Sequence, residues 1–345
     1  MSEENDMIMN IVMGAVSLTL VPVILFGNSL VLISLNRFRF RFRKTTNLFI
    51  GSLSAADCTV ASVTLPLYAA FYFRGEQLSK YKYLCLIKYS SVICTMGASL
   101  LSLLAIACDR YIAIIHPLRY PALMTRKRAK VIIALIWIYE ILVLVIPLGW
   151  NHYDDRSNLC DFFVVLPLGF SITNAFVLIF VCLLICFLLY VRIFIVARAH
   201  RRKISERRSQ NDVLSQRQFE KDTRSAKTMA VVLFLFFVFW VPFMLAGPLK
   251  YLKLEKSIIE FVKNITLLIA MTNSAINPII YCWMRDDFRL AFKIIMPCFR
   301  QDVMPDSSAE NSVGNGGGAE NGTRRGTVNL ISGPKVPITI QPKMK

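Results

Sequence analysis

The sequence is poor in charge and in the residues most soluble chemistry depends on. Of 345 residues only 18% are Asp, Glu, Lys or Arg, and three are histidine. Those three, His116, His152 and His200, lie far apart, at or beyond the ends of apolar runs. They cannot gather into a catalytic or metal-binding cluster inside one. There is no zinc-ligand spacing, no phosphate-cradling loop and no glycine run of the nucleotide-binding type. An internal repeat, which a transporter usually carries, is also missing. Enzyme and transporter readings both lose their support. No cleavable signal peptide is expected, because the first apolar run is too long, lacks a basic flank and follows Glu3, Glu4 and Asp6.

What is abundant is hydrocarbon. The hydrophobic set makes up 55% of the chain, and mean hydropathy is +0.51. One soluble core of this length could not hide so much apolar surface, so lipid must be part of the solvent. Seven apolar stretches reach bilayer-spanning length, near 8–35, 46–72, 84–115, 130–150, 162–197, 226–248 and 259–283. The fold expected is an all-α membrane protein, a bundle of seven transmembrane helices.

The net charge of +18 is concentrated rather than spread. Arg37, Arg39, Arg41, Arg43 and Lys44 fill the first loop, and Arg119, Arg126, Lys127, Arg128 and Lys130 flank the third. The fifth runs from Arg198 through Arg224 with nine cations, whereas the intervening loops hold far fewer. Such alternation suits loops facing anionic lipid headgroups and not a nucleic acid. The positive-inside rule puts the amino terminus outside and the carboxyl tail in the cytosol of a multi-pass plasma-membrane protein. Residues 1–10 read as an extracellular lead-in and 11–284 as the membrane body. Residues 285–298 read as a short amphipathic helix in the interface, with Phe288, Leu290, Phe292 and Ile295 among charges. Cys298 beside it is a candidate palmitoylation site. The Gly-, Ser- and Asn-rich stretch 299–345 reads as a disordered cytoplasmic tail.

Polar groups are costly inside lipid, so each needs a partner or a job. Asn28, Asp57, Ser99, Asn273, Ser274 and Asn277 all fall within spans. Bundled, they can satisfy one another around the Asp57 carboxylate. Asp57 and Ser99 would then offer hard oxygens to an allosteric sodium ion, the one metal or cofactor expected.

Six markers, one in each span except the fifth, carry a resemblance: Asn28; Asp57; Asp109-Arg110-Tyr111; Trp137; Phe236 with Trp240-Val241-Pro242; and Asn277-Pro278-Ile279-Ile280-Tyr281. Over about residues 15–298 the chain resembles the class A (rhodopsin-like) G-protein-coupled receptors. The resemblance implies a receptor with a heterotrimeric G protein, receptor kinases and arrestin as partners. By resemblance Arg110 is the switch residue, paired with Asp109 and, across the bundle, with Asp222. Trp240 and Pro242 make a bend in the sixth helix, with Phe236 one turn on. Pro278 and Tyr281 make another in the seventh, Tyr281 facing Tyr190 of the fifth. Leu118 would enter a pocket of the G protein. Cys85 and Cys160 are expected to form a disulfide that holds the second outer loop over the pocket. Cys182 stands where the family usually has a proline.

The ligand pocket expected by resemblance includes Lys88, Val92, Ile93, Met96, Phe162, Asn174, Trp240, Phe243, Met244, Leu267 and Met271. Val92 stands where amine receptors carry an aspartate, which disfavours an amine. Met271 stands where opsins carry the retinal lysine, which rules out a photoreceptor. Short outer segments argue against large peptides. Pro117-Leu118-Arg119-Tyr120 and Pro147-Leu148-Gly149-Trp150-Asn151 resemble adenosine receptors, although Gly247 and Met271 replace their purine-binding residues. Cys85-Leu86-Ile87-Lys88, Cys160-Asp161-Phe162-Phe163 and Pro242-Phe243-Met244-Leu245 resemble an acylethanolamide-responsive receptor, and a cation at Lys88 recurs in cannabinoid and sphingolipid receptors. An apolar slot with a cation at its rim is expected to take a lipid-like ligand, with a nucleoside as the alternative and an amine or peptide behind it. The cyclic-AMP pathway is the expected output.

Overall fold

The computed structural model describes residues 3–154, 156, 159–206, 213–246 and 255–296. Gly247, Cys298 and the stretch 299–345 lie outside them. Among the described residues, seven helices are long and apolar enough to cross a membrane: within α1 (Glu3–Arg37), α2 (Thr45–Leu78), α3 (Lys82–Ile115), α4 (Arg126–Gly149), α5 (168–206), α6 (Val213–Ala246) and α7 (Lys256–Met284). A short α8 (Asp286–Ile295) follows. No strand occurs among the described residues. In hydrocarbon an unpaired backbone amide has no water to turn to, and a helix satisfies all but its end groups internally.

The helices outrun the apolar stretches that predict them. α1 is helical back to Glu3, and α6 begins well before the apolar run near 226. Their polar ends can leave the hydrocarbon without breaking the hydrogen-bond ladder. The fifth stretch departs more. Instead of one helix from 162, a single turn at Phe162–Val165 is cut off from α5. Pro167, at φ −55° and ψ 133°, precedes Leu168 in extended backbone. Proline has no amide to donate to the preceding turn, so the helix starts afresh after it.

α3 is the most buried span and packs against α2, α4, α5 and α6. α1 and α4 turn rows of Val, Ile and Leu outward, as lipid-facing helices do. Two wide i→i+5 turns interrupt the ladder, at Val60–Thr64 in α2 and at Thr173–Val177 in α5. The first directly precedes Pro66, whose missing amide already breaks the regular pattern. Prolines also sit inside α4 (Pro147), α6 (Pro242) and α7 (Pro278). Thr125 caps α4 by accepting from the Arg128 amide at 3.3 Å.

α8 lies across the end of α7. Phe288 is buried between Phe42 and Tyr281, with ring centroids 4.7 and 5.6 Å away, and Phe292 is buried beside it. Leu290 is on the exposed side, so the buried face is narrower than the composition suggests. Asp286 and Asp287 at its start and Lys293 at its end complement the helix dipole.

Candidate functional site

At one end of the bundle the α3 residue Arg110 is fully buried, a position a guanidinium tolerates only when its donors are matched. Its Nη2 and Nε donate to Asp109 Oδ2 at 2.7 and 3.1 Å, and its Nη1 donates to Asp222 Oδ1 of α6 at 3.0 Å. Asp109 accepts further from Thr45 Oγ1 at 2.6 Å, Thr46 Oγ1 at 2.5 Å and the Tyr120 hydroxyl at 2.9 Å. Burial first, and then the Asp109 carboxylate, push the Tyr120 phenol up to about 12, so it stays a donor. Lys44 joins the cluster, its Nζ 2.7 Å from Asp222 Oδ1. Sequence reasoning foresaw Asp109, Arg110 and Asp222 but missed Lys44, Thr45, Thr46 and Tyr120. Tyr111 turns away, its ring 6.2 Å from His116. Leu118 is 96% exposed on the loop after α3, free to meet another protein.

Between this end and the centre, Tyr190 of α5 and Tyr281 of α7 bury their hydroxyls with no hydrogen-bond partner among the described residues. A buried unpaired phenol is unfavourable, so an arrangement that pairs them has something to gain. Further in, Asn277 Nδ2 donates to Asp57 Oδ2 at 2.9 Å, and Asn28 Nδ2 donates to the Ser274 carbonyl at 2.9 Å. Ser99 and Asn273 are buried as well. Among the described residues, Asp57 Oδ1 and Asn273 Oδ1 have no donor within hydrogen-bond geometry. Unpaired carboxylate and amide oxygens of this kind fit a hard monovalent cation. No group of three or more His, Cys, Asp or Glu suited to a metal occurs among the described residues, so a transition-metal site finds no support there.

At the opposite end a cavity of about 460 Å³ opens between α2, α3, α6 and α7. Its inner wall is Val92, Ile93, Met96, Phe243, Met244 and Leu267, and Phe162 closes one side. Its rim is polar: Lys88, Asp161, Glu260, Lys263 and Asn264. The Lys88 ammonium sits over three aromatic faces, 5.0 Å from Tyr68, 4.4 Å from Phe71 and 4.8 Å from Tyr89. Lys263 Nζ lies 3.3 Å from Asp161 Oδ2. The Cys85–Cys160 disulfide is present, and Tyr89 donates to the Cys160 carbonyl at 2.8 Å. Together they pin the loop that carries Asp161 and Phe162 over the cavity.

Three expected lining residues are elsewhere. Asn174 is turned toward α4, accepting from the Tyr139 hydroxyl at 2.7 Å. It falls in the wide turn of α5, which adds a residue and rotates the positions before it by about 100° relative to a regular count. Trp240 is buried a turn beyond the cavity, between Phe236 at 5.8 Å and Phe243 at 6.1 Å. Met271 is buried in the same apolar core, one turn past Leu267. Conversely, Tyr68, Asp161, Glu260, Lys263 and Asn264 line the cavity without having been singled out. The signal for the last three was their spacing: residues i, i+3 and i+4 share one helix face.

A membrane bundle with a pocket at one end and, at the other, a buried ion cluster that ties α3 to α6 suits a signalling receptor. The chain belongs to the family described as 7 transmembrane receptor (rhodopsin family), which it matches over residues 27–281. It is 32% identical over 301 residues to the histamine H2 receptor of Rattus norvegicus, covering 85% of this chain and 82% of that one. The human histamine H2 receptor is 31% identical, with 81% and 77% covered. The D(5)-like dopamine receptor of Takifugu rubripes is 30% identical, with 83% and 66% covered. These relatives do not come from the adenosine, acylethanolamide or cannabinoid group that the loop motifs suggest. For the adenosine-like motifs the structure gives a reason. Tyr120 of the first motif bonds Asp109, and Asn151 of the second caps α4 through the Pro147 and Leu148 carbonyls. Both motifs serve the scaffold.

Proposed function

We propose that this receptor binds a small extracellular ligand in the 460 Å³ cavity and activates a heterotrimeric G protein at the Arg110 end. The reading places the cavity outside the cell and Arg110 in the cytosol, and the distribution of basic loops supports that orientation. Asp57 and Ser99 would hold a sodium ion, which would supply charge to the polar network between the two ends. The ligand is an amphiphile with an apolar body and an acidic or acceptor-rich head. What carries this is the division of the cavity: its inner wall is wholly apolar, and Lys88 stands at its rim. Val92 offers nothing to a cationic head.

A second reading has its own support. Glu260 and Asp161 also line the rim, and the relatives named above are named for histamine and dopamine, both amines. An ammonium group entering toward Glu260 would fit without any acid on α3. Cyclic AMP, recorded in both directions in cells expressing the chain, separates the readings. The panel is a set of acyl amides and lysolipids, histamine and dopamine, and adenosine. A lipid response lost in Lys88→Ala supports the first reading. An amine response lost in Glu260→Gln replaces it, and an adenosine response alone sinks both.

A further inference from the structure

The charges at the mouth of the 460 Å³ cavity are balanced. Four charged residues line it, the cations Lys88 and Lys263 and the acids Asp161 and Glu260. Arg74, Glu76 and Lys80 belong to the same end of the bundle but are exposed and take no part in the lining. Lys263 and Asp161 hold one another at 3.3 Å. Lys88 has no carboxylate within salt-bridge distance among the described residues. Its ammonium rests on the faces of Tyr68, Phe71 and Tyr89, which steady it without cancelling its charge. Asp161 and Glu260 are both near enough for their charges to act on it.

Two helices join this mouth to the apolar wall. On α7, Glu260, Lys263, Asn264 and Leu267 all line the cavity at intervals of three and four, so one face passes from charge to hydrocarbon in two turns. On α3, Lys88, Val92 and Met96 repeat the gradient at intervals of four. A ligand lying along both helices is therefore charged at one end and apolar at the other. A head with a single negative charge would pair with Lys88 but bring that charge beside Asp161 and Glu260. A head with a single positive charge would pair with Glu260 but meet Lys88 and Lys263. A head carrying both signs gains at each helix and leaves the net charge of the mouth unchanged.

We propose that the ligand is a zwitterionic amphiphile, its anionic group set toward Lys88 and its cationic group toward Glu260. Its apolar body lies against Val92, Met96, Phe243 and Leu267. The inference rests on the cavity being the ligand site, and it unites the two readings given above. An aromatic amino acid and a short-chain phosphoethanolamine lipid share this chemistry.

The test is calorimetric titration of the full-length receptor in lipid nanodiscs, corrected with empty discs. The probes are tryptophan, indolepropionate (which lacks the ammonium), tryptamine (which lacks the carboxylate) and octyl phosphoethanolamine. Tryptophan is expected to bind about tenfold or more tighter than either single-charge analogue. Lys88→Met should weaken tryptophan and spare tryptamine, whereas Glu260→Gln should weaken tryptophan and spare indolepropionate. Lys88→Arg should keep tryptophan binding. Damage to the fold would not produce that crossed pattern. If octyl phosphoethanolamine binds tighter than tryptophan and responds to both variants, the zwitterion is of the lipid kind; the reverse order makes it an amino acid. Tryptophan matched by either single-charge analogue, or no binding of either zwitterion, overturns the inference and leaves the cavity as a site for another ligand. Binding that neither variant alters lies outside the cavity, and it removes the reading beneath the inference as well.

Discussion

Lys44 and Arg110 share one oxygen, with Lys44 Nζ at 2.7 Å and Arg110 Nη1 at 3.0 Å from Asp222 Oδ1. The start of α2 and the inner end of α3 therefore hold the same residue of α6. A second tie, from Arg224 to Asp286 at 2.6 Å, links α6 to α8. If movement of α6 is the signalling step, each tie weights the resting arrangement.

Lys44→Ala is expected to raise ligand-independent signalling about two- to fivefold, the range a half-exposed ion pair supports. Basal nucleotide exchange on purified G protein measures it. Asp222→Asn releases both partners and should exceed Lys44→Ala. Unchanged basal exchange in both variants would show that the shared oxygen does not restrain α6.

Arg110→Ala should abolish or deregulate nucleotide exchange while the receptor still reaches the cell surface. The fold survives because Asp109 keeps the donors Thr45, Thr46 and Tyr120. Surface labelling and exchange, measured on the same cells, separate the two effects. Normal ligand-stimulated exchange would remove Arg110 from its proposed role.

Gly97→Ala is a prediction about packing. The Glu140 carboxyl of α4 is only 1% exposed and lies against the Gly97 backbone of α3, where an added Cβ would strike it. The variant should lose about 1–3 kcal/mol, seen as a lower melting temperature in detergent. Adding Glu140→Ala should restore part of the loss through non-additivity. Equal melting of Gly97→Ala and wild type would mean that the helices separate freely here.

Cys160→Ser removes the covalent tie of the loop that brings Asp161 and Phe162 over the cavity, leaving weaker contacts such as the Tyr89 hydrogen bond and the Lys263–Asp161 ion pair to guide it. Agonist potency should fall about tenfold or more, with thermal stability reduced as well, by about 2–5 kcal/mol. Potency equal to wild type in a correctly trafficked variant would show that the loop contributes nothing to binding.

How much of this was readable without coordinates depended on whether the signal was local. Asp109-Arg110, Pro242 and Asn277 through Tyr281 are contiguous motifs on long helices, and their places follow once the spans are counted. Lys44 was not readable as a partner of Asp222. The two are 178 residues apart, and Lys44 looks like one basic loop residue among five. Glu140 was hidden for the same reason, since only packing shows which residue of α3 it meets. Asn174 failed differently: regular counting carried it into the cavity, and the wide turn at Thr173–Val177 carries it out. The rim of the cavity was undervalued because attention fell on apolar positions, whereas Glu260, Lys263 and Asn264 mark one face of α7. The adenosine-like motifs misled because Tyr120 and Asn151 serve the scaffold, whereas the lipid-like reading rested on Lys88, Phe162, Phe243 and Met244, which do line the cavity.

The central claim is that α6 is held against α3 at rest and leaves it when the receptor couples. Spin labels at Lys127 on α4 and Lys227 on α6, both exposed, read that separation by electron double resonance in the full-length receptor. Binding of nucleotide-free G protein should move the distance distribution to longer values, and Asp222→Asn should populate the longer distance without it. A distribution that stays the same in all three samples would contradict the account.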